Sequence, residues 1–163
     1  MRELAEKMGV EAPSLYNHIG SKSEILREIC FRMANEFQNN MQQVAQMPSS
    51  EVSKTEAIIR FHIHMMMQHY DEVYVANHEW RQLEEPYLSN FLAQRKQYEQ
   101  QFAGIINQGI QNGAFKNVNA QTAVLVILSA VRGLEFLNPK KKQIDIPNLT
   151  NDITNHLLKG LVQ

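Results

Sequence analysis

The sequence predicts an all-α protein. Three observations lead there. Apolar residues recur every three to four positions over most of its 163 residues. Helix-starting side chains stand just ahead of those periodic runs, as at Ser21-Lys22-Ser23-Glu24 and Asn119. No stretch alternates apolar and polar residues, or carries a hairpin dipeptide, strongly enough to compete.

In chain order, Met1, Leu4, Ala5 and Met8 form one buried stripe of a first short helix. Gly9 follows where a helix end favours a residue that tolerates a left-handed backbone. Pro13 opens a second short helix, where its missing N–H costs nothing. There Leu15 and Ile19 point inward and Ser14, Tyr16, Asn17 and His18 outward. One aromatic, one imidazole and small polar groups suit phosphate and base-edge contact better than plain solvation. Ser21 and Glu24 form a capping box that launches a long helix. Ile25, Ile29, Met33, Phe37 and Met41 run along it, with Leu26, Cys30 and Val44 beside them, to Met47-Pro48.

A second box, Ser53-Lys54-Thr55-Glu56, is expected to open the next helix, with Ile58, Phe61, Met65 and Met66 on its buried side. Asp71 is expected to cap a continuation to Trp80. Pro86 opens a long helix through Tyr87, Phe91, Tyr98, Phe102, Ile105 and Ile106, which Gly113 ends. Asn119 caps a helix over 120–137, apolar nearly all round. A polar loop follows through Asn138-Pro139 and Lys140 to Lys142. Pro147 starts a last helix with Ile153, Leu157, Leu158 and Leu161.

The run Arg2-Glu3-Leu4-Ala5, the turn Gly9-Val10 and the string Leu15-Tyr16-Asn17-His18-Ile19, followed by Ser21-Lys22, closely resemble the helix-turn-helix of the TetR family of bacterial repressors. The resemblance implies that Tyr16, His18 and Lys22 grip phosphates. It implies that Ala12, Pro13, Ser14 and Asn17 face the major groove, and it adds Arg2 to the DNA-binding set. The family pattern has one more helix ahead of these two, so the expected module, residues 1–24, is N-terminally truncated. Residues 25–163 form the expected ligand-binding and dimerisation domain. A weaker resemblance lies in His78-Glu79-Trp80-Arg81-Gln82-Leu83, Arg95-Lys96-Gln97-Tyr98-Glu99, Ile106-Asn107-Gln108-Gly109 and Gly113-Ala114-Phe115. These are similar to a TetR subgroup of fatty-acid and sterol catabolism repressors that respond to acyl-CoA thioesters.

Charge does not announce nucleic acid. Residues 1–32 hold five basic and five acidic side chains, and the chain's formal net charge is −1. DNA specificity would rest on a few placed contacts and a dimer reading two half-sites. One cysteine excludes an internal disulfide framework and fits a reducing cytoplasm. Cys30, on an apolar stripe, is expected to pack rather than react. No signal segment is visible, and the apolar run Ala123 to Val131 is too short to span a bilayer. Cytoplasmic location and no membrane partner are therefore expected.

A helix apolar on every side must be buried on more than one side. Val124, Ile127, Val131 and Leu134, with Ile153, Leu157 and Leu161 of the last helix, are the expected homodimer interface. Arg132 is expected to pair with Glu135 one turn away. The Met-rich stretch from Phe61 to Tyr70 suggests an adaptable apolar wall, although methionines at helical spacing also serve as plain core. The expected ligand-binding residues are Phe61, His64, Met65, Met66, His69, Tyr74, His78, Trp80, Phe102 and Leu128.

His62 and His69 stand two turns apart, too far to share an ion, and no Cys pair or His-x-x-x-His accompanies them, so no metal site is expected. There is no phosphate loop and no nucleophile elbow, so neither an enzyme, a catalytic residue nor a cofactor is expected. The sequence thus reads as a ligand-responsive repressor. Its expected partners are double-stranded operator DNA, a second copy of itself and a bulky apolar effector, with an acyl-CoA thioester as first candidate. The alternative is a dimeric small-molecule-binding protein that no longer binds DNA because its first helix is missing.

Overall fold

The computed structural model describes residues 21–137 and 144–162. Among them six α-helices form, with two 3₁₀ turns. The helices are α1 (Lys22–Gln46), α2 (Glu51–Gln68), α3 (Tyr70–His78), α4 (Tyr87–Gln111), α5 (Ala120–Arg132) and α6 (Ile146–Leu161). Turns over Trp80–Gln82 and Gly133–Leu137 follow α3 and α5. Arg2, Ala12, Pro13, Ser14, Tyr16, Asn17 and His18, and the expected loop from Asn138 to Lys142, lie outside the described residues.

Local side-chain chemistry sets most helix starts. Ser21 Oγ accepts from the Glu24 backbone N–H (3.2 Å), and the Ser21 N–H donates to Glu24 Oε2 (2.9 Å). This is the expected capping box. Its helix, α1, has 25 residues, a length of about 37 Å at 1.5 Å per residue. It runs unbroken across the domain boundary expected at residues 24–25. Asn119 caps α5 by accepting from the Thr122 N–H at 2.8 Å. Asp145 caps α6, with Pro147 in the first turn. Gly113, at φ +74, closes α4 in the left-handed region.

Three expected boundaries shift. The cap of α2 is Ser50, accepting from the Ser53 N–H, not Ser53 itself. Starting there brings Val52 into the helix and packs it against the core. Asp71 lies inside the first turn of α3, because α2 runs almost directly into α3 and the bend falls at His69. The helix from Asn119 changes to 3₁₀ geometry at Gly133 instead of running as one α-helix to 137.

In the bundle α1 packs on α3 and α4, α2 on α4 and α6, and α4 on α5. Each helix turns one face to a shared core that holds Cys30, Met41, Ile58, Ile59, Ile63, Phe102, Ile106, Phe115 and Ile127. The end of α6 is tied down where Phe115 bridges Val162 and the Lys116 N–H donates to the Leu161 carbonyl (2.7 Å).

Two further expectations are corrected. Val124, Ile127, Val131 and Leu134 are 2–4% exposed, and Leu161 is 6%. They pack within their own bundle and offer a partner no surface. The outward row of this segment is Leu125, Val126 and Phe136, 65%, 55% and 82% exposed. Ile153 and Leu157 remain half-buried on α6. Glu135 pairs with His78 Nε2 (2.9 Å) rather than with Arg132. The 18 residues from Ala120 to Leu137 are together long and apolar enough to cross a membrane, a longer run than the sequence reading allowed. In the bundle, however, α5 packs one face against α4 and α2.

Candidate functional site

Between α1, α2, α3, α4 and α5 lies a cavity of about 660 Å³. That is an ordinary size for a small-molecule site. Four helices contribute side chains spaced three or four apart, the spacing that puts two residues on one helix face. They are Met33 and Phe37 of α1, His62 and Met66 of α2, Phe91, Gln94, Arg95 and Tyr98 of α4, and Leu128 and Arg132 of α5. α3 adds Val73, Ala76 and Asn77.

The floor is aromatic. The His62 imidazole stacks on Phe37, with centroids 4.6 Å apart and planes at 25°. Tyr98 meets both rings edge-on. Phe61 supports Phe37 from behind. His62 Nε2 lies 2.7 Å from Tyr98 Oη, and the imidazole tautomer decides which of them donates. Burial, helped by the positive charge of Arg132, pushes the His62 pKa down to about 3. Burial likewise pushes the Tyr98 hydroxyl up. Both groups are therefore neutral at pH 7, and the floor carries no charge.

Charge sits higher on the wall. Arg95 stands over the rings of Trp80 (5.8 Å) and Phe91 (5.9 Å). Burial first and the like charge of Arg132 second lower its pKa, while Glu99 opposes them. The cavity can thus enclose an apolar body on aromatic and methionine surface and meet a polar head with guanidinium groups.

Of the ten expected ligand-binding residues, Met66 and Leu128 line this cavity. Met65 and Phe102 are buried in the core, and Phe61 lies behind the floor. His64 is exposed. His69 sits 3.4 Å from Glu72, which also binds Arg32. Tyr74 stacks on His78, itself bound to Glu135. Trp80 touches the site only through Arg95. The sequence reading missed Phe37, Gln94, Arg95, Tyr98 and Arg132 as cavity residues. Their four-residue spacing was visible, but it points to a cavity only once the neighbouring helices are in place. Among the described residues no three His, Cys, Asp or Glu side chains gather to hold a metal ion. Lys22, at the start of α1, is exposed.

Residues 48–135 match the family described as "Tetracyclin repressor-like, C-terminal domain". Among curated proteins no sequence matches the chain. Several solved structures share its fold. The ketosteroid transcriptional regulator KstR2 of Mycobacterium tuberculosis superposes with a TM-score of 0.91 at 17% identity, over 99% of this chain and 84% of its own. The TetR family transcriptional regulator PfmR from Thermus thermophilus gives 0.85 at 19%, over 99% and 88%. AibR, solved with isovaleryl coenzyme A and operator DNA, gives 0.82 at 19%, over 96% and 85%. At such identities the likeness is one of fold.

Proposed function

The chain belongs to the tetracycline-repressor-like family, and on that premise we propose that it is a ligand-responsive transcriptional repressor. It acts as a homodimer that binds operator DNA and releases it when a bulky, largely apolar small molecule fills the cavity. An acyl-CoA thioester is the first effector to test. AibR, of the same fold, was solved with such a thioester and with operator DNA.

The observation that carries this reading is the course of α1. Its first residue, Lys22, follows directly on the segment whose sequence resembles a helix-turn-helix. Further along the same helix, Met33, Ala34 and Phe37 form a wall of the cavity, about three to four turns from Lys22. A single stiff helix therefore joins the DNA-reading segment to the effector. Filling the cavity tilts α1 and alters the spacing of the two recognition helices, so that they no longer match successive major grooves. This is a population shift, and the effector must bind the splayed state more tightly than the DNA-competent one.

The test is fluorescence anisotropy on DNA taken from directly upstream of the protein's own gene. It is run on this chain beside a version extended to any upstream in-frame start. Binding that specific but not random DNA competes away, and that weakens steeply with salt, supports the reading. Failure of both versions on this DNA and on a wider operator screen overturns it, and leaves a dimeric small-molecule sensor.

A further inference from the structure

We infer that the cavity ligand carries a negative charge, and that its anionic head sits between Arg95 and Arg132 while its apolar part lies on the Phe37–His62 floor. This inference deepens the reading of the cavity as an effector site and rests on it.

Charge balance is the first argument. The chain as a whole has a formal net charge of −1. The cavity lining runs the other way: Arg95, Lys96 and Arg132 stand against Glu99 alone. His62 adds no charge there, because burial keeps it neutral.

The second argument is what holds the two guanidinium groups. The ion pairs among the described residues join Arg32 to Glu72, Arg60 to Glu56, His69 to Glu72 and His78 to Glu135. Neither Arg95 nor Arg132 has a carboxylate within ion-pair distance among those residues. Arg95 instead stands over the edges of the Trp80 and Phe91 rings, with Arg81 closer on Trp80 (4.5 Å), and its guanidinium makes no hydrogen bond or ion pair among the described residues. Arg95 is partly buried and Arg132 is exposed at the cavity rim; the like charge of Arg132 disfavours the charged form of Arg95, and a bound anion relieves that repulsion. Two guanidinium groups also offer the forked donors that carboxylates and phosphates accept.

A third observation is independent of charge. Gln94, the chain neighbour of Arg95, lines the same wall, and its buried Oε1 has no hydrogen-bond partner among the described residues. Turning the amide presents Nε2 as a further donor to an anion.

Trp80 is the chain's single tryptophan and lies beside the cavity, with Arg81 at 4.5 Å and Arg95 at 5.8 Å from its ring, so its emission is a second readout that a shift of Arg95 on binding would change. The probes are sodium decanoate, decanoyl-coenzyme A and uncharged 1-decanol. Each is titrated calorimetrically and by Trp80 emission into wild type, Arg95→Gln and Arg132→Gln, with circular dichroism confirming the fold. If a glutamine variant does not fold, Arg95→Met or Arg132→Met removes the same charge on an unbranched side chain and is expected to lose the same factor. At least one anionic probe is expected to bind about tenfold or more tighter than 1-decanol, and to lose about that factor in each glutamine variant. The 1-decanol affinity should not change. Binding of decanoate identifies a carboxylate head, and binding of the thioester alone identifies a phosphate-bearing one. Equal binding of 1-decanol, indifference to both glutamine substitutions, or no binding of either anion overturns the inference. No DNA enters these titrations, so their failure is separate from failure of operator binding.

Discussion

His62 and Tyr98 share a 2.7 Å hydrogen bond on the floor of the cavity, between two rings that are both neutral. The imidazole pKa lies near 3, against 6.5 for an ordinary histidine, because burial and then the charge of Arg132 disfavour the imidazolium. Between those two values the unfolded chain holds a proton at His62 that the folded chain does not. Stability therefore rises with pH in that window, and it is lost as the pH falls from 6.5 toward 3. Wild type should lose about 1.4 kcal/mol per pH unit more than His62→Phe between about pH 6.5 and 4.5. The two should run parallel above about pH 7.5. Urea melts across this range give both slopes, and equal slopes would mean that the imidazole is protonated in the native state.

Much of the fold is legible in the sequence because capping is local. Ser21, Glu24 and Asn119 satisfy N–H groups two or three residues away, so their sequence is enough to place two helix starts. The cavity is less legible, because it depends on the phase of each helix relative to the others. The stretch from Phe61 to Tyr70 is rich in His and Met on every face, yet only His62 and Met66 reach the cavity. Arg95 and Arg132 sit at positions that a lone helix would solvate. For α5, apolar on all sides, periodicity gave no preferred face, and packing chose Val124, Ile127 and Val131 for the interior.

Gly109 and Gly104 make a matched pair on α4. A Cβ at Gly109 would overlap the ring of Phe115, itself 1% exposed, and stand 3.2 Å from Glu51 Cβ. Gly104 has open space at the same point. Gly109→Ala should destabilise by about 1–3 kcal/mol through overpacking. Gly104→Ala should stabilise by about 0.5–1 kcal/mol, since alanine loses less backbone freedom in a helix. Denaturant midpoints at constant slope decide both signs. A neutral Gly109→Ala would mean that the Phe115 ring can move aside.

Cys30 is fully buried in α1, and burial pushes its thiol up to about 11. Thiolate is the reactive form, so access and ionisation both work against modification. An aromatic disulfide reagent at about pH 8 should leave the native protein unmodified and react fully in denaturant. Its rate should follow global unfolding across a urea series. Rapid labelling without denaturant would show that α1 opens away from α4 in the native state.

Val124 and Val126 are two residues apart on α5 and have opposite fates. Val124 is 3% exposed inside the bundle, while Val126 is 55% exposed on the outward row with Leu125 and Phe136. Large apolar side chains grouped on one exposed face call for a partner, and the proposed homodimer supplies one. Val126→Glu should fold with an unchanged circular dichroism spectrum but elute as a monomer, with light scattering giving its mass. It should also lose operator binding, because one reading head cannot span two half-sites. Val124→Glu places an unpaired carboxylate in the core and should instead lose several kcal/mol of stability. If Val126→Glu remains a dimer, the subunits meet on another face, and the outward row of α5 needs a different explanation.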